Sequence, residues 1–187
     1  MKRNYLFFIV TILFCLFISC NSTNQIVEKE APINEVNEDD VVDADNDEYL
    51  RSINNLSDKE SISMSEFTDD KAAILEIINN LSKIMEEQDF ESWTKYITPE
   101  SLKYYSNPAN IKRAQQKLPD KTIVLYRIDD YFKYVFIPSR KRSKVEEIRY
   151  ISKTEVKAVE VKSDKTAIVY YSFTKQNGKW LINLPTV

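Results

Sequence analysis

The chain has 187 residues, a formal net charge of −3, no histidine, one glycine and two cysteines. The absence of histidine excludes a histidine base or metal ligand, and one glycine cannot build a glycine-rich phosphate loop. Both cysteines lie in the first 20 residues, which leaves the rest of the chain without a disulfide framework or a thiolate metal site.

Lys2 and Arg3 open the chain, and residues 5–19 are an apolar run ending at Cys20. That run fits a secretory signal peptide and falls short of the roughly 20 residues that a membrane span needs. Phe17-Ile18-Ser19-Cys20 resembles the bacterial lipoprotein signal, an apolar residue followed by small or apolar ones before cysteine. Phe17 stands where leucine is usual. Cys15 is a poor rival because Phe14, before it, is too large for a cleavage site. The resemblance implies cleavage after Ser19, lipidation of Cys20 and a lipid-anchored address in the bacterial cell envelope. One acyl chain anchors only marginally, so firm attachment implies several. An uncleaved N-terminal anchor and ordinary signal cleavage stay open as other readings.

Residues 21–70 carry 15 acidic and 3 basic side chains, whereas 71–187 carry 14 acidic and 21 basic. Such a split predicts a tail and a domain. The acidic stretch is poor in aromatics and self-repelling, so 20–67 reads as the lipidated cysteine and a flexible tether. Its aspartates Asp39, Asp40, Asp43, Asp45 and Asp47 lack the glycine and distal glutamate of a calcium loop. Within it, Asn46 and Asp47 could cap a short helix with Tyr49, Leu50, Ile53 and Leu56 on one face.

The domain is expected over 68–187. Asp69 and Asp70 suit a helix N-terminus, and Ile74, Ile77, Ile78, Leu81, Ile84 and Met85 follow at helical spacing. Asp89, Thr98-Pro99 and Asn107-Pro108 predict three more helix starts. After Pro119 the pattern changes to β-branched and aromatic alternation, which predicts strands over 121–128, 131–138, 145–152, 154–162, 165–174 and 179–184. Asn177-Gly178 predicts a two-residue hairpin, and Asp129-Asp130 reads as another tight turn. In "EVKAVEV" the apolar phase slips between Ala158 and Val159, which predicts a bulge. Helices followed by antiparallel strands give an α+β fold.

Three stretches resemble the nuclear transport factor 2-like superfamily: "IINNLSKIMEEQDFESWTKYITPES", "VKSDKTAIVYYSF" and "FTKQNGKWLINLP". The resemblance implies a cone, with N-terminal helices packed on a curved, mainly antiparallel sheet. Enzymes of that superfamily work in the mouth of the cone, with an Asp or His base and Tyr or Asp donors. No position here matches one of their catalytic motifs, so the expectation is a non-catalytic domain without a cofactor or metal. It would bind a small ligand or another envelope protein through its concave sheet, and pairing with a second copy is open. Tyr126, Tyr134, Tyr150 and Tyr170 are the candidate pocket residues, because tyrosine on a sheet is apolar at one end and wet at the other. Two alternatives come from other classes. One is a lyase or isomerase using Asp129 or Asp130 with a tyrosine such as Tyr131. The other is an adhesin whose basic loop, Arg140, Lys141, Arg142 and Lys144, binds polyanions. An exported protein gives no reason to expect nucleic acid as a partner.

Overall fold

Ser63 starts the helix that organises the fold. Its hydroxyl accepts from the Glu66 N–H (3.2 Å), and the Glu66 carboxylate accepts from the Ser63 N–H (2.8 Å). This reciprocal capping box begins α2 (Met64–Glu87) earlier than the acidic pair Asp69-Asp70 suggests. One stripe of α2 is buried: Phe67, Asp70, Ile74, Leu81 and Ile84. The computed structural model describes residues 38–57 and 60–187, with side chains from Asp45 onward. The expected signal peptide, Cys20 and the first part of the expected tether lie outside the described residues. Among the described residues, no helix is long and apolar enough to cross a membrane.

Part of the expected tether is folded. Helix α1 (Glu38–Ile53) starts before Asn46 and Asp47, which therefore sit inside it and do not cap it. Tyr49, Ile53 and Leu56 pack on the core, while Leu50 is exposed and Ser52 is buried in its place. The Tyr49 hydroxyl donates to the Ile62 carbonyl (2.6 Å), and its ring meets Phe67 edge-on at 5.6 Å. Lys71 bonds the buried Glu48 (2.5 Å), and Arg51 reaches Glu147 (2.8 Å). The fold therefore begins before residue 68. The described residues all belong to one compact unit.

Three short helices follow as their caps require. They are α3 (Phe90–Thr94) behind Asp89, α4 (Pro99–Tyr105) behind Thr98 and α5 (Pro108–Lys117) behind Asn107. Trp93 is fully buried between Phe90, Phe132 and Phe136.

The first two expected strands are absent. Over 121–126 the chain is irregular, and side chains take three of its N–H groups. Asp120 accepts from Thr122, Gln115 from Leu125, and Asp130 from both Tyr126 and Arg127. The segment 128–140 is helical: α6 (Ile128–Tyr131), a π-helical stretch (Phe132–Phe136) and α7 (Ile137–Arg140). Asp129-Asp130 is thus the first turn of a helix and not a hairpin tip. Aromatic and β-branched residues favour strands only where a pleated surface receives them. Here Tyr131, Phe132 and Phe136 are buried at helical spacing, with Phe132 and Phe136 against Trp93. Pro138 has no N–H for the Tyr134 carbonyl and its ring crowds that carbonyl, which accounts for the widened turn.

The remaining strands form one antiparallel sheet in the order β1-β2-β3-β4: β1 (Glu147–Ser152), β2 (Glu155–Val161), β3 (Ala167–Gln176) and β4 (Lys179–Ile182). The expected bulge lies between Ala158 and Val159. Asn177 (φ 51°) and Gly178 (φ 77°) make the β3–β4 turn, the positive pair that a type I′ hairpin needs. The inner face of the sheet is closed by helices: Ile148, Tyr150, Ala158, Tyr171, Phe173 and Ile182 are all at most 1 % exposed. Full burial of each of Ile148, Phe173 and Ile182 contributes about 1.5–3 kcal/mol. The chain after β4 returns over α4. Leu184 N–H donates to Ser101 (2.9 Å), and Tyr105 donates to the Pro185 carbonyl (2.5 Å).

Candidate functional site

Among the described residues, the inner sheet face is packed by helices. Two openings flank Arg140, where the π-helical stretch and α7 end. One groove, of about 500 Å³, lies between the end of α2 and α7, with Ser82, Met85 and Glu86 on one wall and Ile137, Arg140 and Ser143 on the other. A second, of about 380 Å³, runs between β3 and the C-terminal tail, and Arg140, Tyr170, Ser172 and Asn183 line it. Arg140 borders both.

The Arg140 guanidinium lies 4.3 Å from the Phe136 ring centroid and 5.5 Å from that of Tyr171. Its Nη1 donates to the Ser139 hydroxyl (2.5 Å), and its enclosed Nε has no partner among the described residues. No acidic side chain among the described residues pairs with it. Glu86, across the first groove, is exposed. Burial lowers the Arg140 pKa, and nearby tyrosines oppose that shift. Burial likewise raises Tyr131 and Tyr171 above the usual tyrosine range. Tyr105 also rises, through burial first and then its contact with Tyr131, whose ring centroid is 4.2 Å away. The buried Tyr171 hydroxyl has Ser143 as its polar neighbour. The site therefore offers unspent donors above an aromatic floor.

A different polar cluster sits inside the fold. Asp70 accepts from Tyr150 (2.9 Å), Lys175 (2.8 Å) and Trp180 Nε1 (2.9 Å). It joins α2 to β1 and to the β3–β4 hairpin. All three donors are spent on one carboxylate, so this cluster is a staple rather than a reactive group. Burial, followed by the bond to Asp70, raises the Tyr150 pKa.

The four expected pocket tyrosines are not brought together. Tyr126 is 74 % exposed, Tyr134 is exposed beside Lys133, and Tyr150 is buried on Asp70. Tyr170 alone borders a groove, where it donates to Glu160 (2.8 Å). The basic loop also divides. Lys141, Arg142 and Lys144 are exposed, while Arg140 ends a helix and lies against the aromatic core. Asp129 pairs with Arg127 (2.7 Å), and Asp130 accepts from the N–H groups of Tyr126 and Arg127. Tyr131 stacks on Tyr105, away from both carboxylates' bonds. Sequence reasoning missed Asp70 as a core residue. Its signal was available: it falls on the stripe of Phe67 and Ile74, where an unpaired acid does not belong. Nothing in the sequence separates Arg140 from Lys141 and Arg142, because the helical turn that aims it inward was itself unforeseen.

A protein of Treponema pallidum (strain Nichols), described as an uncharacterised lipoprotein, is 29 % identical to this chain over 119 residues. The match covers 64 % of this chain and 63 % of that protein, so the chain spans less than two-thirds of its relative. No protein-family model matches the chain, and no solved structure matches it.

Proposed function

We propose that the chain is a bacterial lipoprotein, held in the cell envelope by a lipid on Cys20, with a non-catalytic domain that binds a small ligand. The relative's description as a lipoprotein and the Phe17–Cys20 signal support the anchor. Helices covering one face of an antiparallel sheet with a bulged central strand support a nuclear transport factor 2-like cone. The observation that carries the binding role is the pair of grooves meeting at Arg140, with unspent donors over aromatic rings. Ligand sites combine an apolar lining with a few convergent polar groups in this way. An Asp–Tyr enzyme is the weaker reading, since Asp129 and Asp130 are spent on Arg127 and on backbone N–H groups.

The full-length protein, released from its own host's membranes without denaturant, is expected to show a stoichiometric added mass in native mass spectrometry. Cys20→Ser is expected to lose both the acyl mass and membrane association. A bare chain overturns the ligand role, and a Cys20→Ser protein that stays acylated overturns the anchor.

A further inference from the structure

We propose that Arg140 is the head-group receptor of this site and that the ligand is an organic carboxylate with an apolar body. This rests on the ligand-binding reading above. Guanidinium carries five N–H donors in a fixed plane and accepts nothing. In Arg140 one donor is spent on Ser139, and among the described residues Nε has no partner and no acid pairs with the group. Stacking on Phe136 and Tyr171 compensates part of the charge through the ring faces. It leaves the in-plane N–H groups unsatisfied, and an enclosed donor without an acceptor is costly.

The guanidinium N–H groups left free at the meeting of the two grooves call for an acceptor. A carboxylate supplies two coplanar oxygens that match the guanidinium fork. A single half-buried cation fits a monoanion better than a phosphate dianion. The aromatic floor, with Ile137 and Met85 on the walls of the larger groove, suits an apolar body.

The test uses the full lipidated chain in lipid nanodiscs. The probes are 3-phenylpropanoate and the neutral alcohol 3-phenylpropan-1-ol, followed by saturation-transfer NMR on their ring protons. Expected is binding of the acid at least about tenfold tighter than the alcohol, the gain of one charge-assisted fork. Arg140→Met, which keeps the apolar stem, is expected to abolish that preference while preserving the near-ultraviolet dichroism of the core. Where Arg140→Met fails to fold, Arg140→Lys serves, with acid binding weakened several-fold because the fork is lost. Equal binding of acid and alcohol, or acid binding unchanged in either variant, overturns the carboxylate assignment. The native-mass adduct separates the two levels: an adduct lacking an acidic group defeats the carboxylate alone, whereas a bare chain defeats the ligand role itself.

Discussion

Replacing Asp70 by alanine removes the acceptor shared by Tyr150, Lys175 and Trp180. Two of these donors, the Tyr150 hydroxyl and Trp180 Nε1, belong to residues at most 5 % exposed and cannot turn to water. Each orphaned buried donor costs about 1–3 kcal/mol. Lys175 keeps 34 % of its side chain exposed and rehydrates, so it adds little. The expected loss is about 3–5 kcal/mol, the range seen when one partner of a buried pair is removed. For a domain of this size that lowers Tm by roughly 6–20 °C. Asp70→Asn keeps the shape and one carbonyl acceptor but turns an amide N–H₂ toward donors, with an expected loss of about 1–3 kcal/mol. Urea unfolding followed by tryptophan fluorescence measures both. An Asp70→Ala protein within about 1 kcal/mol of the parent, with the same denaturant slope, would refute the staple.

Alkaline pH should unfold the protein through its tyrosines. Tyr105, Tyr131, Tyr150 and Tyr171 are held above their ordinary value of 10.0, so their protons stay bound in the fold after the unfolded chain has lost them. Their contribution is complete below pH 10 and falls above it by about 1.4 kcal/mol per pH unit for each retained proton. Tyrosinate absorbance from this cluster should therefore rise together with the loss of far-ultraviolet dichroism, not before it. Tyr49→Ala removes the 2.6 Å bond to Ile62 and the contact with Phe67, and is expected to cost α1 about 2–3 kcal/mol of docking. Tryptic cleavage after Arg51 should then accelerate, and unchanged protection would sink that account. Gly178→Ala meets no atom within 4 Å, so its cost of about 1 kcal/mol should come from the backbone at φ +77° alone, read as a shift in urea midpoint.

Local chemistry made much of the fold legible. Asp89, Thr98-Pro99 and Asn107-Pro108 mark helix starts because a capping oxygen acts within three residues. Asn177-Gly178 and the slip at Ala158/Val159 mark a turn and a bulge for equally local reasons, the sign of φ and the phase of alternation. The α+β class followed from their order. The Ser63–Glu66 box was equally local and went unread beside the more conspicuous Asp69-Asp70 pair.

Tertiary structure decided what local signals leave open. The run 131–138 has the composition of a strand, yet burial of Phe132 and Phe136 against Trp93 makes it helical. That choice turns Arg140 away from the basic loop and onto the rings of Phe136 and Tyr171. Tertiary packing likewise docks α1, within the acidic stretch, through Glu48 and Lys71, 23 residues apart in the chain. Composition reports the mean tendency of a segment. Which charge meets which ring or cation depends on contacts between distant residues, and only the folded chain supplies them.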